Sequence, residues 1–475
     1  KGPSPGAAAR PLKQQGLPWA MSLSKVYKQA LGQWSPDGRH LASAAQNRAL
    51  VRDAGTLKLV QVYVCVDKVN RVEWSPDSEF LLAEVSTRGV VHVWSMQDAD
   101  FACRIEQGSC GVHRARWGRS SEHLLVVSDF QLYLSVWSLA DQSLVVQIKH
   151  PKWPHRGLAF SHSGRWLALL RRSRCRDSAA VYDAEDGFRL LVEIPAEGDC
   201  ADLVWAPGDA ALLLWEQPAR PARLLWYSLR GELLAQVDEC AHLRCAFPSP
   251  SAQLLAAGGF DGSLQLLDVV ARKPLASLTH DLKVACLEAD ASEIEVLREE
   301  QAGATDTPAG QLRYARLQSP ADVRVPEEHP RIEHVPGGSV RQSGIGTVLW
   351  SPDERYLATK HDGMPTAVWV WDLAQLKLAA LLLHRTPVRS FAWDPSGWAQ
   401  AGGPRLAVST VDPLLFLWSP GGETAVLPCP LSMARVQWQP QAQALLLQER
   451  DRACVCWLCP ATSVGGSAAA CEADA

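Results

Sequence analysis

A five-residue phrase, Trp34-Ser35-Pro36-Asp37-Gly38, returns along the chain and constrains its fold more than any other feature. It recurs as Trp74-Ser75-Pro76-Asp77 and Trp350-Ser351-Pro352-Asp353, with looser copies at Trp117, Phe160, Trp205, Phe247, Trp393 and Trp438. Consecutive anchors lie 40, 43, 43, 45, 42, 103, 43 and 45 residues apart. In each copy an apolar strand runs into the aromatic residue, Pro and Asp or Gly make a tight turn, and a second apolar strand follows. Alternating third strands close many copies, as in Val91-His92-Val93-Trp94 and Val368-Trp369-Val370-Trp371-Asp372. A repeat of this length built from short strands and turns is the signature of a propeller blade. The expected fold class is all-β, a β-propeller forming a single closed ring of about nine four-stranded repeats.

The chain sorts into segments on the same rhythm. Residues 1–20 are rich in Pro, Gly and Ala without periodicity and read as a disordered leader outside the working protein. Repeats one to six span 21–282, repeats seven to nine span 345–460, and 461–475 form a small polar tail. The last copy has three strands, so the stretch Ser24–Gln29 is expected to complete it and close the ring. Residues 283–344 interrupt the rhythm as a long insert. The insert carries a possible short acidic helix (288–300) and then a Pro-, Gly- and charge-rich stretch, with a degenerate tenth blade as the alternative.

Composition excludes more than it identifies. Thirteen of the nineteen tryptophans sit at first-strand anchors or third-strand ends, so Trp is structural by default. A net charge of −4 gives no reason to expect a nucleic-acid or membrane partner. No secretory signal or Asn-x-Ser/Thr site accompanies the thirteen scattered cysteines, which points to a reduced, cytosolic compartment. No phosphate-cradling loop, nucleophile elbow or His-Glu-x-x-His helix appears, and Gly344-Ile345-Gly346 leads into a strand where a dinucleotide site needs a helix. No catalytic residue and no cofactor is expected.

Three other features bear on chemistry. Cys454, Cys456 and Cys459 are the best metal candidates, set against the simpler reading of small buried thiols, so no metal is expected. Asp261 and His280 stand where a hydrogen-bonded pair would lock a turn. Arg171, Arg172, Arg174 and Arg176, with Arg165 nearby, flank the turn between strands Trp166–Leu170 and Ala179–Tyr182. They are either a solvated hairpin tip or a docking site for an acidic partner such as a tubulin tail, because clustered Arg suits carboxylates.

The ordered set of motifs from Met21 to about Leu458 resembles one family, WD repeat-containing protein eight. The residues that carry the resemblance are Leu41-Ala42-Ser43, Leu50-Val51-Arg52-Asp53, Val72-Glu73-Trp74-Ser75, Gly344-Ile345-Gly346 before Trp350-Ser351-Pro352-Asp353, Ala367 to Asp372, and Val388 to Pro395. The resemblance implies a WD-repeat scaffold of centrosomes, centriolar satellites and spindle poles. It implies a coiled-coil partner, the SSX-interacting protein, with roles in microtubule minus-end anchoring, bipolar spindle assembly and cilium formation. The insert and the arginine cluster are the two expected docking patches. The competing class is a propeller adaptor of a ubiquitin-ligase or RNA-processing complex.

Overall fold

The computed structural model describes residues 19–153, 155–216, 223–238, 243–283, 294–301, 312–317, 323–327, 344–396, 403–421, 424–432 and 434–460. These residues form nine blades, eight antiparallel with four strands and one mixed with six. The blades run over 30–64, 71–106, 114–149, 158–195, 200–237, 243–279, 345–383, 388–428 and 435–460, and the last takes its fourth strand from Trp19–Leu23. Among the described residues no helix is long and apolar enough to cross a membrane.

The repeated phrase explains how each blade is built and how it joins the next. Ser35, Ser75 and Ser351 are fully buried. Each hydroxyl bonds the Asp two residues on and accepts the N–H that starts the second strand, at 2.9 Å from His40, Phe80 and Tyr356. The tryptophan before the serine faces the preceding blade. Trp74, Trp117, Trp205, Trp393 and Trp438 donate their indole N–H to carbonyls of Gln33, Glu73, Ala159, Leu349 and Ala392 at 2.9–3.3 Å. Each of those carbonyls belongs to the residue before the neighbouring anchor. These five anchors therefore bury a large apolar ring between blades and satisfy their one polar atom there, whereas Trp34 Nε1 is buried without a partner among the described residues.

Trp350 corrects the register of blade six, because it donates to Phe247 O at 3.1 Å. Ser249 holds the buried serine position, so the anchor slot belongs to Pro248, and Phe247 is exposed. Proline cannot bridge blades, and Phe247 was the nearest aromatic in the sequence.

The fourth turn residue lies in the left-handed region: Gly38 (φ 72°), Ser78 (66°), Asp209 (58°) and Glu354 (59°). Glycine is the unstrained choice there. The other three use their side chains to tie blades together. Ser78 Oγ accepts Asp37 N–H, Asp209 accepts His162 and Ser163 N–H, and Glu354 accepts from the Ser251 N–H and hydroxyl.

Closure of the ring places Met21 opposite Leu458 and Leu23 opposite Cys456, antiparallel to the strand Ala453–Pro460. The closing strand lies earlier than Ser24–Gln29, and the expected leader boundary at residue 20 falls inside it. Tyr27 retains a single bridge to Ala453, because from there the chain must swing inward to start blade one. Across the seam, Gln439 and Gln441 amides donate to the Gly38 and Asp37 carbonyls, and Trp457 donates to Ala54 O at 3.2 Å. Trp34, Leu41, Leu446 and Val455 pack between the first and last blades. Similar clusters join the other neighbours, as Leu125, Val136 and Ile148 of blade three meet Leu167 and Tyr182 of blade four. Each fully buried side chain of this size contributes about 1.5–3 kcal/mol.

Candidate interaction surfaces

The arginine cluster lies at the tip of blade four, whose second and third strands, Trp166–Ser173 and Arg176–Asp183, are eight residues long. They turn through Arg174 and Cys175, both at positive φ (51° and 60°), the geometry a tight hairpin requires. The cluster divides into two pairs. Arg172 binds Asp177 through Nε at 2.6 Å and also reaches Asp199, while Arg171 donates to Lys149 O and Glu193 at 3.1 Å. Arg174 and Arg176 are exposed and have no ion-pair partner among the described residues.

Asp177 is the hub of this corner. Its carboxylate accepts from Lys152 Nζ, from Arg172 and from Cys200 N–H at 2.8 Å. The Lys152 and Asp177 side chains are 2% and 0% exposed. Burial works to raise the Asp177 carboxyl, but the bonds from Arg172, Lys152 and Cys200 outweigh it and hold it below the ordinary range. The bond to Asp177, above the other causes, holds the Arg172 guanidinium more firmly charged. Half of the cluster thus ties blade four to blades three and five.

The insert contributes to the ring. The acidic stretch expected as helix is, over its described part, the strand Glu295–Gln301. It pairs in parallel with Lys377–Leu383, the outer strand of blade seven, and carries Leu312–Arg316 on its other edge. An open sheet edge is a site for strand addition, and Val296 and Leu297 bury apolar surface there. The acidic residues find partners that the sequence pattern did not reveal. Glu295 accepts the Trp418 indole N–H at 3.2 Å, and Glu299 accepts Arg385 N–H at 3.0 Å. The Tyr314 ring packs tilted against Phe416, with centroids 5.1 Å apart, and its hydroxyl lies 3.1 Å from His384 Nε2. The remaining insert, 284–293, 302–311, 318–322 and 328–343, lies outside the described residues, as does the tail 461–475.

His280 is buried between blades six and seven. Its Nδ1 lies 3.0 Å from Gly262 O and its Nε2 2.7 Å from Thr359 Oγ1, which also accepts the Trp371 indole N–H at 3.0 Å. Burial, with help from nearby His361, pushes the imidazole down to about 3. His280 is thus a neutral clamp between blades. Asp261 bonds Ser263 within its own turn instead. Cys454 meets Cys429 of blade eight, and that neighbour and burial raise its thiol. Among the described residues no three potential ligands gather for a metal, and the Cys459 side chain lies outside them.

A further surface surrounds one mouth of the central channel. The innermost strands line this channel, and in six blades an arginine sits within two residues of the strand's start: Arg71, Arg114, Arg156, Arg244, Arg389 and Arg435. The sequence signal is an Arg three or four residues before the anchor aromatic, as in Arg71-Val72-Glu73-Trp74 and Arg435-Val436-Gln437-Trp438. Arg244 is spent on Asp362 and on Gly344 O at 3.0 Å. Arg71 pairs with Glu73 at 2.7 Å but leaves Nη1 buried without a partner. Arg114, Arg389 and Arg435 have no ion-pair partner among the described residues. A recess of about 880 Å³ opens where Arg71, Arg114, Arg389, Arg435 and Arg450 converge. Burial lowers His155, and its neighbours His113, Arg71 and Arg156 lower it further.

Nine blades, seven of them tryptophan-anchored, with these turns define a WD-repeat β-propeller. A eukaryotic initiation factor crystal structure shares the fold, with a TM-score of 0.55 at 9% identity over 84% of this chain and 88% of that one. No family model matches the sequence. The chain is 34% identical over 462 residues to mouse "WD repeat-containing protein WRAP73", covering 92% of this chain and 96% of the relative. It belongs to that family of WD repeat-containing proteins.

Proposed function

We propose that this propeller is a non-enzymatic scaffold of centrosomes, centriolar satellites and spindle poles. It would bind the SSX-interacting coiled-coil protein, help anchor microtubule minus ends, and serve bipolar spindle and cilium assembly. The observation that carries the reading is relatedness to a WD-repeat protein along 92% of the chain. The motif-by-motif resemblance to the WD repeat-containing protein eight family supplies the cellular setting. A rigid ring with loops on two faces is suited to holding several partners at once. The rim supports a helical partner in particular. Outer strands of blades one, three, four and five each expose an adjacent apolar pair, Leu59-Val60, Leu144-Val145, Leu190-Leu191 and Leu233-Leu234. Such a belt fits the apolar stripe of a coiled-coil helix. Arg174 and Arg176 remain available as an acidic-docking patch, whereas Arg171 and Arg172 are engaged within the ring.

Proximity labelling with the full chain in dividing cells tests this. The scaffold reading expects centrosomal coiled-coil proteins to dominate the labelled set. A neighbourhood dominated by a ubiquitin ligase or RNA-processing complex, without centrosomal proteins, would replace it with the adaptor reading.

A further inference from the structure

We infer that the channel mouth spanning blades eight, nine, one, two and three is a docking site for an acidic, carboxylate-rich peptide segment of a partner protein. Five guanidiniums and one carboxylate, Glu449, line the recess, and Glu449 is already paired with Arg452 at 2.6 Å. This is a concentrated positive surface on a chain whose net charge is −4. Arg389, Arg435 and Arg450 are exposed at the rim, so their donors are available to a ligand. Lys360 stands close to Arg389 and donates to Val388 O at 2.9 Å, which extends the positive field around blade eight. A guanidinium fork matches a carboxylate in geometry as well as charge.

The distribution of the arginines favours a peptide over a single compact anion. They stand on four different blades, Arg71 and Arg114 on one side of blade one and Arg389, Arg435 and Arg450 on the other. Cations spaced this way meet several acids strung along a chain better than they converge on one phosphate. Between them lie Gln33, Asn70, Gln437 and Gln448. Each of these amides offers both a donor and an acceptor, the complement of a peptide group. Leu31, partly exposed in the recess, adds apolar contact that a bare anion would not use. The inner strand of blade one also breaks its pairing with the second strand between Ala30 and Gln33. Gly32 sits in that break, and a side chain there would come within 2.8 Å of Leu446 Cδ2. The recess lies within the usual span of ligand pockets, about 300–1,000 Å³. This site is separate from the apolar rim and does not depend on where in the cell the protein works.

The test is fluorescence anisotropy with the full chain and a fluorescein-labelled peptide of repeating Glu-Glu-Leu, with a Lys-Lys-Leu peptide as control. The acidic peptide is expected to bind and to weaken as salt is raised. Charge reversal with Arg389→Glu and Arg435→Glu together should reduce affinity by about tenfold or more and lessen its dependence on salt, largely through slower association. Both residues are exposed, so the melting temperature should stay close to that of the parent, which separates lost binding from lost folding. Reversal of the blade-four tip, Arg174→Glu with Arg176→Glu, should leave the affinity within about twofold. Unchanged affinity in the channel variant would overturn the proposal, and so would an equal loss in the tip variant. Displacement of the peptide by equimolar inorganic phosphate would overturn it too, by making the site a phosphate pocket.

Discussion

Replacing Asp177 by Asn removes one charge from a site where geometry fixes the consequence. The amide fits the same space, but Lys152, 2% exposed, then holds a buried ammonium facing Cys200 O at 2.5 Å and no carboxylate. Breaking a buried pair from one side costs about 3–5 kcal/mol. The ordinary proton affinity of lysine sets a ceiling, since neutralising an ammonium at pH 7 costs about 5 kcal/mol. The Arg172 bonds add little, because that side chain is 41% exposed and keeps Asp199. A deficit of about 3–5 kcal/mol should appear in urea denaturation at pH 7. The pH dependence supplies a second check. A carboxyl held low in the folded state stabilises it fully above the ordinary aspartate value of 3.8, and that contribution disappears as the pH falls through the depressed value. The gap between parent and variant should therefore narrow in acid. A deficit below about 0.5 kcal/mol at pH 7 would refute the assignment of Asp177 as the hub of this corner.

Other consequences follow from the packing. Trp393→Phe leaves Leu349 O without its indole donor and should cost about 1–2 kcal/mol, and Trp393→Ala about 3–5, both read by denaturant midpoint. Among the described residues Tyr314 is the one partner of His384 Nε2, in a ring whose Nδ1 has none there, so Tyr314→Phe should cost about 1–3 kcal/mol although it lies in the insert. His280 is neutral when folded, with its pKa pushed down to about 3, whereas an unfolded histidine binds a proton near about 6.5. Stability should fall as pH drops between those values, by up to about 1.4 kcal/mol per unit, and His280→Gln should flatten that slope in melts at pH 7 and 5.

Blade number and the role of the tryptophans were legible because both depend on apolar residues repeating at a fixed spacing. The polar ties were harder to see. Ser78, Asp209 and Glu354 occupy a strained turn position and bond residues 41 to 103 positions away, and no local propensity marks such a bond. The strand Glu295–Gln301 was misread because Glu and Leu suit a helix, while its buried edge partner, Lys377–Leu383, follows it by some eighty residues. Blade six was displaced by one residue because Pro248 stands where an aromatic is usual. The hairpin arginines were visible as a cluster, but which of them were engaged depended on Glu193 and Asp199 from neighbouring segments. The channel arginines were present three or four residues before six of the anchors. A spacing of about forty residues hides charges that only ring closure brings together.

The central claim, a propeller that scaffolds a coiled-coil partner, is tested most directly by mixing the purified full chain with purified SSX-interacting protein. Size-exclusion chromatography with light scattering then measures the mass of what elutes. The account predicts a single earlier peak containing both proteins, whose mass is the sum of a defined number of each. Separate elution of the two at micromolar concentration would contradict it.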